Sequence, residues 1–291
     1  MNDFKSLHPI CIFSYFIVMI VMLLICNHPV VMLSACAGAV FLLLNFKEHS
    51  MTGMLKWILP LILIITIANP LLNHRGVTRV CFLFGQWITL EAICYGVASG
   101  LSLVALILWF SCYQRIMTSD KFLYLFGKAA PASSLLITMA LAFVPKLRLQ
   151  LQQIQECQEM LTEETKTTDG KIRLAIRNVS VLLGWSLENT VEQADSMKAR
   201  GYGIRRRTTF HLFRMKGRDV RFLVMLLILA CICIGLRIHG CGTMEFYPRI
   251  SESFHGTEDM IFYLSFLILV GIPGVMEWKE EMLWRSYNLN L

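Results

Sequence analysis

The chain has 291 residues, 56% hydrophobic and only 16% charged, with a net charge of +7 and a mean hydropathy of +0.58. Soluble domains carry about 25% charged residues, so the composition excludes an ordinary soluble enzyme and points to an all-α, polytopic membrane protein. The positive charge is concentrated: residues 146–219 hold 14 Lys and Arg against 9 Asp and Glu, more than half of the chain's 27 cations.

A bilayer crossing takes roughly 20 apolar residues. Apolar runs at residues 10–26, 30–44, 55–68, 92–112, 220–236 and 261–275 predict about six transmembrane helices, the shorter ones tilted, kinked or in locally thinned bilayer. The first run follows a single Lys5 and is succeeded by Asn27-His28-Pro29, not by a small-x-small cleavage site. It therefore reads as a retained helix and not as a signal peptide. After the third run, Pro70 removes a backbone donor and disfavours helix at Asn69. The helix is expected to end there, with the chain turning along the outer surface through Asn73-His74-Arg75-Gly76 to Thr89. Glu91 and Arg237, at the ends of apolar runs, read as boundary residues.

The middle of the chain has a different pattern. Residues 120–127 form a short amphipathic stretch closed by Gly127, and Pro131 suits the first turn of a new helix. That helix is apolar over 132–144, too short to span alone, and is expected to kink at Pro145. Beyond the kink Leu147, Leu151, Ile154, Cys157 or Gln158, and Leu161 recur at spacings of three and four. A polar break at 165–170 precedes a second long helix from about Lys171 to Arg200. Ile172, Ile176, Val179, Leu183, Val191, Ala194 and Met197 mark its apolar stripe, and residues 179–187 are expected to be buried against the preceding helix. Gly201 should close it as a left-handed cap, and Gly203 should release the chain. Arg205-Arg206-Arg207, Arg214, Lys216 and Arg218 follow.

Three blocks result: an N-terminal transmembrane region at 1–113, a cytoplasmic region at 114–219 containing two long helices, and a C-terminal transmembrane pair with a tail at 220–291. Positive loops stay in the cytoplasm, which places both termini and the basic region inside a plasma membrane. Basic residues beside the inner face are in the first instance contacts to the lipid bilayer, and no nucleic-acid partner is expected.

Catalytic chemistry has no sequence signal. The ten cysteines include no C-x-x-C pair; Cys231 and Cys233 fall on different sides of a helix, and packing is the expected role. No phosphate loop, dinucleotide fingerprint, nucleophile elbow or metal-ligand spacing occurs. No metal, no cofactor and no enzymatic activity are expected of this chain. The membrane runs also lack the ionisable residues that a self-contained secondary transporter or channel needs. That class is the alternative reading, and a membrane-bound enzyme is a third.

Arg200 is the residue singled out. A cation in a last helical turn opposes the dipole by about 0.3–1 kcal/mol, and a following Gly is a common cap, so a purely structural role competes with a docking role. The run Ala194-Asp195-Ser196-Met197-Lys198-Ala199-Arg200-Gly201-Tyr202-Gly203, with Arg207-Thr208 after it, resembles the second Ala-Arg-Gly signature of the transmembrane T component of energy-coupling-factor (ECF) transporters, the CbiQ/EcfT family. His8-Pro9, Asn69-Pro70 with Asn73-His74-Arg75-Gly76, Thr89-Leu90-Glu91-Ala92 and Ala142-Phe143-Val144-Pro145 agree in order.

The resemblance implies a non-catalytic membrane scaffold with two cytoplasmic coupling helices. Each helix would end in an Ala-Arg-Gly-like motif docked on one of two ABC-type ATPases, which hold the ATP and Mg. A small membrane S component would carry a vitamin or a transition-metal ion. Ala199, Arg200 and Gly201 would form one coupling end. The other, aligned through Ile154-Gln155-Glu156-Cys157-Gln158, falls on Met160-Leu161-Thr162, where both the cation and the glycine are missing. Glu159, Glu163 and Glu164 make that end acidic.

Overall fold

The computed structural model describes residues 4–45, 51–72, 76–83, 86–127, 130–161, 168–204, 213–247, 251–252 and 256–289. These residues fold almost entirely as helix. After a 3-10 turn at Phe4–Ser6 come α1 (Pro9–Ile25), α2 (Pro29–Leu44), α3 (Met51–Leu72), α4 (Leu90–Ile116), α5 (Ser119–Gly127), α6 (Pro131–Leu161), α7 (Thr168–Ala199), α8 (Gly217–Ile238) and α9 (Thr257–Leu289). Two short antiparallel ribbons interrupt the all-α pattern. One pairs β1 (Arg79–Leu83) with β2 (Gln86–Thr89), the other β3 (Met244–Glu245) with β4 (Ser251–Glu252).

Among the described residues four helices are long and apolar enough to cross a membrane, over Leu90–Ile116, Pro131–Met160, Gly217–Ile238 and Thr257–Trp284. The first three expected crossings fall on shorter apolar helices, Pro9–Ile25, Pro29–Leu44 and Pro60–Leu72. Pro131–Met160 is a candidate where the apolar run 132–144 was expected to be too short to span alone, because α6 runs on through Pro145, the expected kink position. A proline inside a helix forfeits one hydrogen bond, to the carbonyl four residues earlier, here Leu141, without necessarily ending the helix. Pro70 behaves likewise. Helix α3 continues past it to Leu72, so the expected exit at Asn69 is displaced by one turn.

By its contacts the chain divides into residues 1–121 with 213–291, and residues 122–212, the boundary falling inside α5. In the first unit α1 and α2 share one start device. Pro9 and Pro29 each occupy the first helical position, where the missing N–H costs nothing. The preceding His8 and His28 accept from the backbone N–H of Ile10 and Val30 through Nδ1, each at 3.3 Å. Helices α1 and α8 run parallel: the Cys11 thiol donates to the Asp219 carbonyl near their starts (3.4 Å) and Arg237 Nη2 to the Ile25 carbonyl at their ends (2.8 Å). The backbone N–H of Lys5 reaches Glu277 Oε1 at 3.3 Å, so the later part of α9 lies beside the start of α1.

The core of this unit is aromatic. Phe4, Tyr15, Phe16 and Trp109 are all but fully buried, and their rings and that of Phe222 meet mostly edge to face at 5.5–6.4 Å. Both polar tips are satisfied, the Tyr15 hydroxyl on the Leu269 carbonyl (3.0 Å) and the Trp109 indole N–H on the Ala35 carbonyl (3.1 Å). Elsewhere small residues bring backbones together. Gly96 and Gly100, one turn apart on α4, face Thr66 and Ile62 of α3, and a Cβ on Gly96 would lie 3.0 Å from the Thr66 carbonyl.

The second unit is thin. Helices α6 and α7 meet at their middles, where Phe143 stacks on Trp185 with centroids 6.1 Å apart. Among its described residues only Ile154 and Asn178 are buried. Of the stripe expected on α6, Leu147, Leu151, Ile154 and Gln158 lie on its less exposed face and Cys157 is exposed, while the side chain of Leu161 lies outside the described residues. On α7 the expected stripe is not the covered one. Leu174, Asn178, Leu182, Trp185 and Asn189 are covered. Ile172, Ile176, Val179, Leu183, Leu187 and Val191 are instead 51–70% exposed. Periodicity locates apolar faces but does not say which one finds a partner within the chain.

The close approach of α3 and α4 is testable. Gly96→Val should overpack it and cost about 1–3 kcal/mol. Gly235→Val, where nothing lies within 4 Å of the new Cβ, should be neutral or stabilise by up to about 0.5 kcal/mol, because Val is a better helix former than Gly. Thermal unfolding in detergent, followed by circular dichroism, compares the two.

Candidate functional site

The end of α7 is built as a complete left-handed cap. The Gly201 N–H donates to the Lys198 carbonyl at 2.9 Å and the Tyr202 N–H to the Met197 carbonyl at 3.0 Å. Gly201 takes φ +83°, a conformation that costs an L residue roughly 1–2 kcal/mol. These two bonds satisfy carbonyls that the last helical turn would otherwise leave open. Gly203 repeats the positive φ at +91°.

Arg200 sits at the hinge of this cap. Its N–H bonds the Ser196 carbonyl at 3.1 Å, and its side chain is exposed. Among the described residues no carboxylate pairs with its guanidinium, whereas the neighbouring Lys198 lies 3.6 Å from Asp195. The arrangement presents a planar, permanently charged fork on a fixed helix end, a geometry suited to carboxylates or helix-end carbonyls of another molecule. Ala199 is the last helical residue and is exposed. Arg205, Arg206 and Arg207 lie outside the described residues.

The first aligned motif is placed only in part. Met160 is 87% exposed near the end of α6, which closes at Leu161. Thr162, Glu163 and Glu164 lie outside the described residues. Pro145 is in the middle of the same helix.

Two residues read as boundary markers do more. Arg237 joins the ends of α1 and α8 through Ile25, and its Nη1 reaches the Cys241 carbonyl at 3.5 Å. Glu91 is buried in the first turn of α4, and its carboxylate accepts from the N–H groups of Val77 (3.4 Å) and Thr78 (3.1 Å) and from the Thr78 hydroxyl. The loop passes so close that a Cβ at Gly76 would lie 2.7 Å from both Glu91 Oε2 and Thr89 Oγ1. The sequence stretches around Gly76 and Glu91, noted separately, thus form one hydrogen-bonded corner. An acid at the first turn of a helix was the available signal; its loop partner was not legible from spacing.

Cys233 is buried with its sulfur 3.2 Å from the Ser265 hydroxyl, while Cys231 is exposed, as their spacing requires. Among the described residues no three His, Cys, Asp or Glu side chains gather as metal ligands would. Neither a protein-family model nor a curated protein sequence matches the chain.

The cap and the guanidinium are separable. Gly201→Ala should raise the amide hydrogen exchange of Met197–Arg200 by roughly tenfold, the equivalent of about 1.4 kcal/mol. Arg200→Ala should leave that exchange within about twofold, because the cap bonds are backbone bonds.

Proposed function

We propose that this chain is the transmembrane T component of an ECF-type ABC importer, coupling ATP hydrolysis on two partner ATPases to an S component that carries a vitamin or transition-metal ion. The observation that carries the reading is Arg200, an exposed cation on a helix end made rigid by its own cap. A structural cap accounts for the glycine and, through the helix dipole, for a cation, but Lys198 already serves the dipole in the last turn, and docking gives the exposed fork of Arg200 a role of its own.

The exposed apolar stripe of α7 supports the same reading. A helix with one face on α6 and a second, continuous apolar face uncovered needs lipid or another protein there. In this reading the S component covers that face, and the ATPases hold the tips of α6 and α7. The α7 tip docks through charge-assisted bonds from Arg200. The α6 tip, lacking a cation, docks by apolar contact of Met160 and Leu161, which is less directional and less sensitive to salt. ATP and Mg stay on the partners. The membrane is the bacterial or archaeal plasma membrane, with both termini and the region around α6 and α7 inside.

Co-purification from membranes with candidate ATPases and S component tests the assembly. Loss of a charge-assisted bond costs about 1.5–3 kcal/mol, so Arg200→Glu should weaken ATPase docking roughly ten- to a hundredfold while the protein remains inserted. Normal assembly and uptake in that variant would reduce Arg200 to a cap residue and defeat the reading. At the other tip, Leu161→Ala should weaken docking less than Arg200→Ala, and Leu161→Arg should be tolerated. If Leu161→Ala and Leu161→Arg both abolish docking, the alignment of the first motif is wrong.

Orientation is tested separately in intact cells. A cysteine at Glu252 should react with an impermeant maleimide, and native Cys157 should react only after permeabilisation. The opposite pattern would invert the topology.

A further inference from the structure

A groove of about 460 Å³ opens between the first three turns of α8 and the part of α9 that follows Pro273. Each helix lends it one face at helical spacing, through Arg218, Arg221 and Met225 on α8 and Met276, Lys279 and Leu283 on α9. Phe222 and Glu280, both nearly buried, complete the lining. Arg218 is committed elsewhere: its Nη2 donates to the Ser6 hydroxyl at 3.1 Å, and its Nε lies 3.6 Å from the buried Asp219 carboxylate. Arg221 and Lys279 are different. Both are exposed, one on each wall, and neither forms an ion pair among the described residues.

We infer that this groove is a binding site for one acidic phospholipid, with the headgroup phosphate between Arg221 and Lys279 and an acyl chain along Met225, Met276 and Leu283. The groove joins two cations to an apolar wall at the ends of two helices long enough to span the membrane. A soluble anion would use the cations and leave the methionine and leucine wall wet. A neutral lipid would use the wall and leave both cations without a counter-charge. An acidic lipid satisfies both halves, since a cation beside an anionic headgroup gains about 1 kcal/mol and an acyl chain gains by burial against apolar side chains. Asp219 pairs with Arg218, Glu280 in the lining is nearly buried, and the exposed charges of the groove are those of Arg221 and Lys279. The site rests only on α8 and α9 lying in a membrane and not on the coupling role of Arg200.

Native mass spectrometry of the full-length protein in detergent, titrated with phosphatidylglycerol, reads the site directly. One phosphatidylglycerol should bind in preference to phosphatidylcholine and phosphatidylethanolamine, and the double variant Arg221→Gln with Lys279→Gln should lose that binding by roughly tenfold or more. Met225→Trp, which fills the groove but keeps both cations, should lose it as well, and Lys198→Gln on α7 should not. Circular dichroism melting checks that each variant is folded. Undiminished binding in the folded double variant or in Met225→Trp would overturn the assignment. So would equal binding of the zwitterionic lipids, or displacement by glycerol 3-phosphate as effective as by the intact lipid.

Discussion

Side-chain donors placed on helix carbonyls hold the larger unit in register. Where water is scarce, an unpartnered hydroxyl or N–H costs several kcal/mol, so each large polar tip in the core must land on an acceptor in another segment. Tyr15 lands on Leu269, Trp109 on Ala35 and Arg237 on Ile25. Lys121 joins Lys5 and Ile116, donating from Nζ to both carbonyls at 2.8 and 3.0 Å. Burial and the charge of Lys5 push its ammonium below the usual lysine range, and Glu277 partly offsets them. Apolar packing alone would tolerate sliding of one helix along another; a directed bond to one carbonyl does not.

The second unit follows the opposite logic. Among the described residues α6 and α7 touch through the Phe143–Trp185 stack and a narrow seam that includes the buried Asn178, whose Oδ1 finds no hydrogen-bond partner there. Helices in folded proteins derive most of their stability from packing of an amphipathic face, and here much of the apolar surface of α7 remains uncovered. The two units therefore differ in what they require. The first packs around a buried aromatic core while Leu24, Leu33 and Leu264 face outward at 57–68% exposure, and the second has little core and needs lipid or protein on α7 to bury what its sequence made apolar.

How much of this was legible follows from which physical signals are local. The apolar runs and the glycine at the end of α7 are local, and both appear close to where the sequence puts them; Gly201 adopts the left-handed conformation that its position after Arg200 implies. One proline misled. Pro70 was read as a boundary, yet α3 continues past it to Leu72; α6 runs on through Pro145, the position expected to kink it. Pairing between distant segments was not legible. Nothing in the spacing of Gly76, Thr78 and Glu91 announced that a fifteen-residue detour would close on itself. Nor could the stripe on α7 reveal that a neighbouring face, carrying Trp185 and Asn178, is the one that meets α6. At the candidate site the backbone cap was readable from Arg-Gly alone, while it needed coordinates to show that no described carboxylate pairs with the guanidinium.

The Gly201 cap also has a mechanical consequence. A helix of 32 residues is about 48 Å long at 1.5 Å per residue, and an ordinary helix terminus unwinds first when it is pulled. At the α7 terminus two backbone bonds close over the last turn, and the residue that would start the unwinding is held in a left-handed well. A load applied through Arg200 therefore acts on the helix as a stiff rod, and its displacement reaches the middle of α7 at Trp185 without being absorbed by fraying at the tip.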